Sequence, residues 1–120
     1  LSYVQAILGW DIVDEKMIAP LISMLYGSKP FSLEKPIIGF SKSKNFVKVS
    51  ARATIDLVNK GINLGILIRE AAKKCNGIGG GHNIAAGAQI PIGKEEEFLE
   101  YLNKLIKESQ VIKTEVRTTN

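Results

Sequence analysis

Residues 77–91 read GIGGGHNIAAGAQIP, and no other stretch limits the possible folds as tightly. Five of the chain's 11 glycines lie between Gly77 and Gly87, three of them consecutive at Gly79, Gly80 and Gly81. Such a run fills no core and costs backbone entropy to order, so close contacts must offset that cost. Backbone without side chains lets another group approach closely, and its successive N–H groups can point into one concavity and hold an anion. A loop is therefore expected over 77–87, with His82 and Asn83 placing a ring and an amide beside the bound group. Ala85, Ala86 and Gly87 then allow the following segment to pack against the loop. A tight connection with no ligand has the same composition. The run is not a Walker loop, because no Lys-Ser/Thr pair follows, and the G-x-G-x-x-G spacing of dinucleotide sites is missing.

The rest of the chain supplies the elements that carry this loop. Short apolar runs predict strands at Tyr3–Leu8, Pro36–Phe40, Asn45–Ala53, Gln89–Ile92 and Val111–Thr118, the last at a sheet edge. Asp14 reads as the N-cap of a helix running to Gly27, with Pro20 in its first turns or kinking it. Asn63 caps a second helix whose stripe is Leu64, Leu67, Ile68, Ala71, Ala72 and Cys75, stopped by Gly77. A third spans Glu95–Glu108 and buries Phe98, Leu102, Leu105 and Ile106. This order predicts an α/β (α+β) domain, a mixed sheet of about five strands flanked by about three helices. In the Asn45–Ala53 strand, Val47, Val49, Ala51 and Ala53 face the core, leaving Phe46, Lys48, Ser50 and Arg52 on the polar side.

With 120 residues the chain forms one domain over residues 1–120. One cysteine and one histidine exclude a disulfide framework and a two-histidine zinc helix. Asp11, Asp14 and Asp56 share no spacing and read as structural, Cys75 as a buried small hydrophobe, and Trp10 and Phe46 as core residues before base stackers. No signal peptide and no membrane span is apparent, so a cytoplasmic protein without membrane partners is expected. The chain begins at Leu1, which leads us to expect a piece of a longer polypeptide. The net charge is +4, yet residues 41–76 alone carry eight basic against two acidic residues. That block leads directly into the glycine run, a pattern that attracts phosphate-bearing ligands. A solvated basic face has the same look.

A strand bearing Ser50-Ala51-Arg52, a capped helix, then Gly79-Gly80-Gly81-His82 with Ala85-Ala86-Gly87 resembles the C-terminal substrate-binding domain of the DHH-family phosphoesterases. That group includes RecJ exonucleases, NrnA-type oligoribonucleases and cyclic-dinucleotide phosphodiesterases. The Ser-Ala-Arg form and the Pro-Ile-Ile-Gly-Phe strand look most like the RecJ branch. Alanyl-tRNA synthetases have a related domain with glycine-rich features. The resemblance implies that catalysis belongs to a separate Asp-His-His domain of the same polypeptide, which holds manganese or magnesium. It implies no catalytic residue, metal ligand or cofactor in this chain. Arg52, with Ser50, would hold phosphate, and Lys48 would extend the basic track along a single strand or be a solvated lysine; Gly79, Gly80 and Gly81 would offer backbone N–H groups; His82 would meet the scissile phosphate and Asn83 a sugar or base. The implied partner is single-stranded nucleic acid or a short oligonucleotide, with a homodimer possible. A stand-alone nucleic-acid-binding or oligomerisation module, and the substrate domain of a cyclic-dinucleotide or pyrophosphate hydrolase, are the alternatives.

Overall fold

The computed structural model describes residues 2–10 and 14–119, with the backbone alone for Trp10 and residues 111–119. Five strands, β1 (Gln5–Trp10), β2 (Ile37–Lys42), β3 (Val47–Arg52), β4 (Ile78–Gly81) and β5 (Ala85–Ile90), form one sheet in the order β1-β2-β3-β5-β4. β1 lies parallel to β2 and the remaining pairs are antiparallel, so the sheet is mixed as expected. Helices among the described residues are α1 (Ile18–Leu25), α2 (Ile55–Asn59), α3 (Leu64–Lys74) and α4 (Glu95–Thr119).

Strand alternation decides which face each helix covers. Val47, Val49 and Ala51 of β3 and Ile38 and Phe40 of β2 are fully buried on one side. There they meet the predicted α3 stripe, Leu64 to Cys75, and Phe98, Leu102 and Ile106 of α4. Phe40 and Phe98 stack edge to face with centroids 6.0 Å apart. The other side of β2 carries Ile37 and Gly39, against which α1 lays Ile18 and Ile22. Gly39 permits that contact, since a Cβ there would stand 2.6 Å from Ile22 Cγ2.

Several expectations need correction. Residues 111–118 continue α4 and form no strand. Between Glu108 and Val111 stand only Ser109 and Gln110, neither a helix stop, and extending an existing helix needs no new nucleus. α2 was not foreseen: Thr54 caps it, its hydroxyl accepting from Leu57 N at 3.2 Å, but five residues show no periodicity. Asp14 folds a turn that precedes α1, accepting from Lys16 N at 2.8 Å, and the helix starts at Ile18 with Pro20 in its first turn. Asn76, at φ 63°, makes the left-handed stop after α3 in place of Gly77. The expected loop over 77–87 is two antiparallel strands joined at 82–84. Gly80 and Gly81 have φ of 157° and 145°, so the strand has a form that side-chain-bearing residues rarely adopt. Asp11 lies outside the described residues, as does the Trp10 side chain.

Candidate functional site

Pairing register aligns one row of small residues straight across the sheet on the α1 side. Gly39 faces Ser50, Ser50 faces Gly87, and Gly87 faces Gly80. α1 packs on β2 and β3 and fills the row over Gly39. Beyond it the row is bare: a Cβ on Gly80 would meet nothing within 4 Å. One flanking row holds Arg52 and Ala85, the other Lys48, Gln89 and Ile78. The result is a shallow trough floored by Ser50, Gly87 and Gly80.

Arg52 stands at the α1 end of this trough. Its Nε donates to Ser23 Oγ at 3.1 Å and its Nη1 to the Ala51 carbonyl at 2.9 Å. These bonds fix the guanidinium plane and leave the rest of the donor fork for a ligand. Lys48 leans inward from the opposite wall, its Nζ 3.8 Å from where a Cβ of Gly87 would sit. Neither cation pairs with an acid among the described residues; the Lys94–Glu97 pair at 3.3 Å lies on α4's first turn and the residue before it. Ser50 is buried to 3% exposure between the two. Its hydroxyl therefore contributes to the floor and does not reach outward.

Only Gly80 of the three glycine candidates belongs to this face. Gly79 is turned toward α3, where Ala72 and Ala88 occupy the room a side chain would need, and Gly81 packs under Gly65 of α3. Sequence alternation missed this because glycines show no inward or outward preference. His82 and Asn83 sit exposed in the turn that joins β4 to β5. His82 N donates to Ala85 O at 2.8 Å, and Ala53 N donates to Ile84 O at 2.9 Å, so the turn lies at the Arg52 end of β3. Asn83 O accepts from Leu64 N at 3.0 Å, which ties the turn to the start of α3. The structure thus gathers Arg52, Ser50, Lys48, Gly80 and the His82 turn and sends Gly79 and Gly81 elsewhere.

The basic block splits. Lys48 and Arg52 face the trough, while Arg69, Lys73 and Lys74 lie exposed on α3, with Lys74 Nζ 5.7 Å from the Tyr101 ring centroid. Cys75 is buried, and burial together with the Glu97 charge raises its thiol pKa, so it is a core residue and a poor nucleophile. Phe46 is half-buried beside Ile90 and Pro91. Among the described residues no three His, Cys, Asp or Glu side chains gather to hold a metal, and no helix is long and apolar enough to cross a membrane.

Comparison with known proteins adds an independent finding. The sequence profile of the DHHA1 domain matches residues 3–108. A segment of 75 residues is 41% identical to an uncharacterised protein of Methanocaldococcus jannaschii, covering 62% of this chain and 17% of that protein. A segment of 74 residues is 39% identical to an alanine–tRNA ligase of Clostridioides difficile, covering 61% of this chain and 7% of the ligase. The chain therefore spans a small fraction of these relatives. Among solved structures, the C-Ala domain of Aquifex aeolicus alanyl-tRNA synthetase superposes with a TM-score of 0.71 at 17% identity, covering 86% of this chain and 89% of that domain. That likeness shows a shared fold.

Proposed function

This chain belongs to the DHHA1 domain family, and from that premise we propose that it holds the phosphate of a single nucleic-acid strand for a DHH-type catalytic domain, as in RecJ-like exonucleases. The observation that supports this most is the placement of Arg52 and Lys48, unpaired with any described acid, on either side of a floor of Ser50, Gly87 and Gly80. Arg52 offers a planar fork already oriented by Ser23, suited to two phosphate oxygens. Lys48 adds a point charge from the other wall. Gly80 and Gly87 let a phosphate or sugar reach the backbone, and His82 meets the phosphate at the open end. A catalytic domain of this type would hold manganese or magnesium, which would supply the activation of water for ester cleavage, while this chain's residues bind and orient the phosphate.

Titration of the 120-residue chain with a short 5′-phosphorylated single strand tests this. Arg52→Ala should weaken binding roughly tenfold to a hundredfold, the range for losing a charge-assisted bond. His82→Ala should weaken it less. Unchanged affinity in both variants would overturn the assignment. A second reading is favoured by the 39% identity to an alanine–tRNA ligase: the same face then takes the backbone of a folded tRNA. Competition separates the two, because a tRNA that displaces the single strand at far lower concentration supports the second.

A further inference from the structure

Of the trough's second wall, phosphate binding uses Lys48 alone and leaves Ile78 and Gln89 without a role. Lys48, Gln89 and Ile78 stand side by side across β3, β5 and β4 on the same face. With Gly79, Gly87 and Ala88 they line an open cavity of about 300 Å³. A second cavity of about 270 Å³ shares Ile78 and Gln89 and continues toward Phe46 and Pro91. Ile78 is 71% exposed on the outermost strand. Edge strands commonly carry charge or proline to prevent pairing with other chains, and a bare isoleucine there runs against that practice. Gln89 is exposed, with no side-chain hydrogen bond among the described residues.

We propose that Ile78 and Gln89, backed by Lys48, form a nucleobase subsite next to the phosphate clamp. A flat heterocycle can lie over the side-chain-free peptides of Gly80 and Gly87 with one edge against Ile78. The Gln89 amide supplies one donor group and one acceptor, which matches the mixed edges that unstacked bases present. Lys48 Nζ, hanging above Gly87, faces the phosphate that joins this nucleotide to the clamped one. Apolar contact, amide and cation in that order fit a nucleotide better than a free phosphate or a peptide. The inference rests on reading the face as a phosphate site and adds that the chain senses whether a base is attached.

The test compares two probes on the 120-residue chain: a short 5′-phosphorylated strand carrying bases, and the same backbone with abasic units. Ile78→Ala and Gln89→Ala should each weaken the base-bearing strand, Ile78→Ala roughly tenfold for lost apolar contact, and leave the abasic strand unchanged. Gln89 is an exposed position, so its variant keeps the test valid if Ile78→Ala disturbs the sheet edge, which a thermal melt shows. Equal losses on both probes, or no loss on either, overturn the subsite. So does a wild-type chain that binds the abasic strand as tightly as the normal one, while the phosphate reading stands. If the wild type binds neither probe, the phosphate reading itself fails and the subsite with it.

Discussion

A methyl group on Gly65 would collide with the Gly81 carbonyl, because the first turn of α3 rests directly on the end of β4. Leu64 N reaches Asn83 O one residue away, so helix start and glycine strand are locked as a unit. Two effects of Gly65→Ala oppose each other. Helix propensity favours alanine by about 1 kcal/mol. Forcing a Cβ into packed backbone costs about 1–3 kcal/mol or more, and a carbonyl cannot swing aside as a side-chain tip can. The second effect should win, so urea unfolding should show net destabilisation of about 1 kcal/mol or more. A stabilised variant would mean that α3 slides off the strand easily. The same contact explains why the glycine run pairs with a glycine inside a helix 16 residues away, a link that only the folded arrangement exposes.

At the scale of elements, the segment after α1 is held to β1 by polar contacts with the backbone. Tyr26 OH donates to Lys35 O at 2.7 Å, while the Gln5 amide bonds Ser32 and Lys35. Burial pushes the Tyr26 phenol up from its ordinary 10.0 to about 12. The folded value lies above the unfolded one, so this contribution is complete below pH 10 and is lost as pH rises toward 12. Unfolding measured across that window should show wild type losing stability that Tyr26→Phe does not, the gap between them closing as pH rises. A constant gap would mean that the phenol does not ionise with unfolding. How legible each element is follows from what its side chains advertise. The start and buried face of α3 could be read, because Asn63 caps it, accepting from Ile66 N at 3.3 Å, and a periodic stripe fills that face, while its stop fell on Asn76 and not on Gly77. β4 could not, since three glycines have neither periodicity nor β-propensity, and its partners across the sheet identify it as a strand. The C-terminal run of Val, Ile and Thr looked like a strand by propensity, but it is attached to a helix with no stop signal, and continuation won.

Across the whole molecule, charge placement matters more than charge count. The sequence block of residues 41–76 suggests one basic surface, yet the fold puts Lys48 and Arg52 on the trough face and turns Arg69, Lys73 and Lys74 out along α3. Arg52 and Lys48 were legible as neighbours on one face because a strand puts every second side chain there. Ile78 and Gln89 were not, because their place beside Lys48 depends on β5 returning between β4 and β3. This division makes a quantitative prediction about binding. If Lys48 and Arg52 are the two groups that neutralise phosphate, the logarithm of affinity for a single strand should fall with the logarithm of salt at a slope of about −1.4. Arg52→Ala should halve that slope to about −0.7, and Arg69→Ala, on the far surface, should leave it unchanged. A wild-type slope several times steeper would show that the α3 lysines and Arg69 also track the strand, so that the bound chain wraps from the trough over the sheet edge onto the helix.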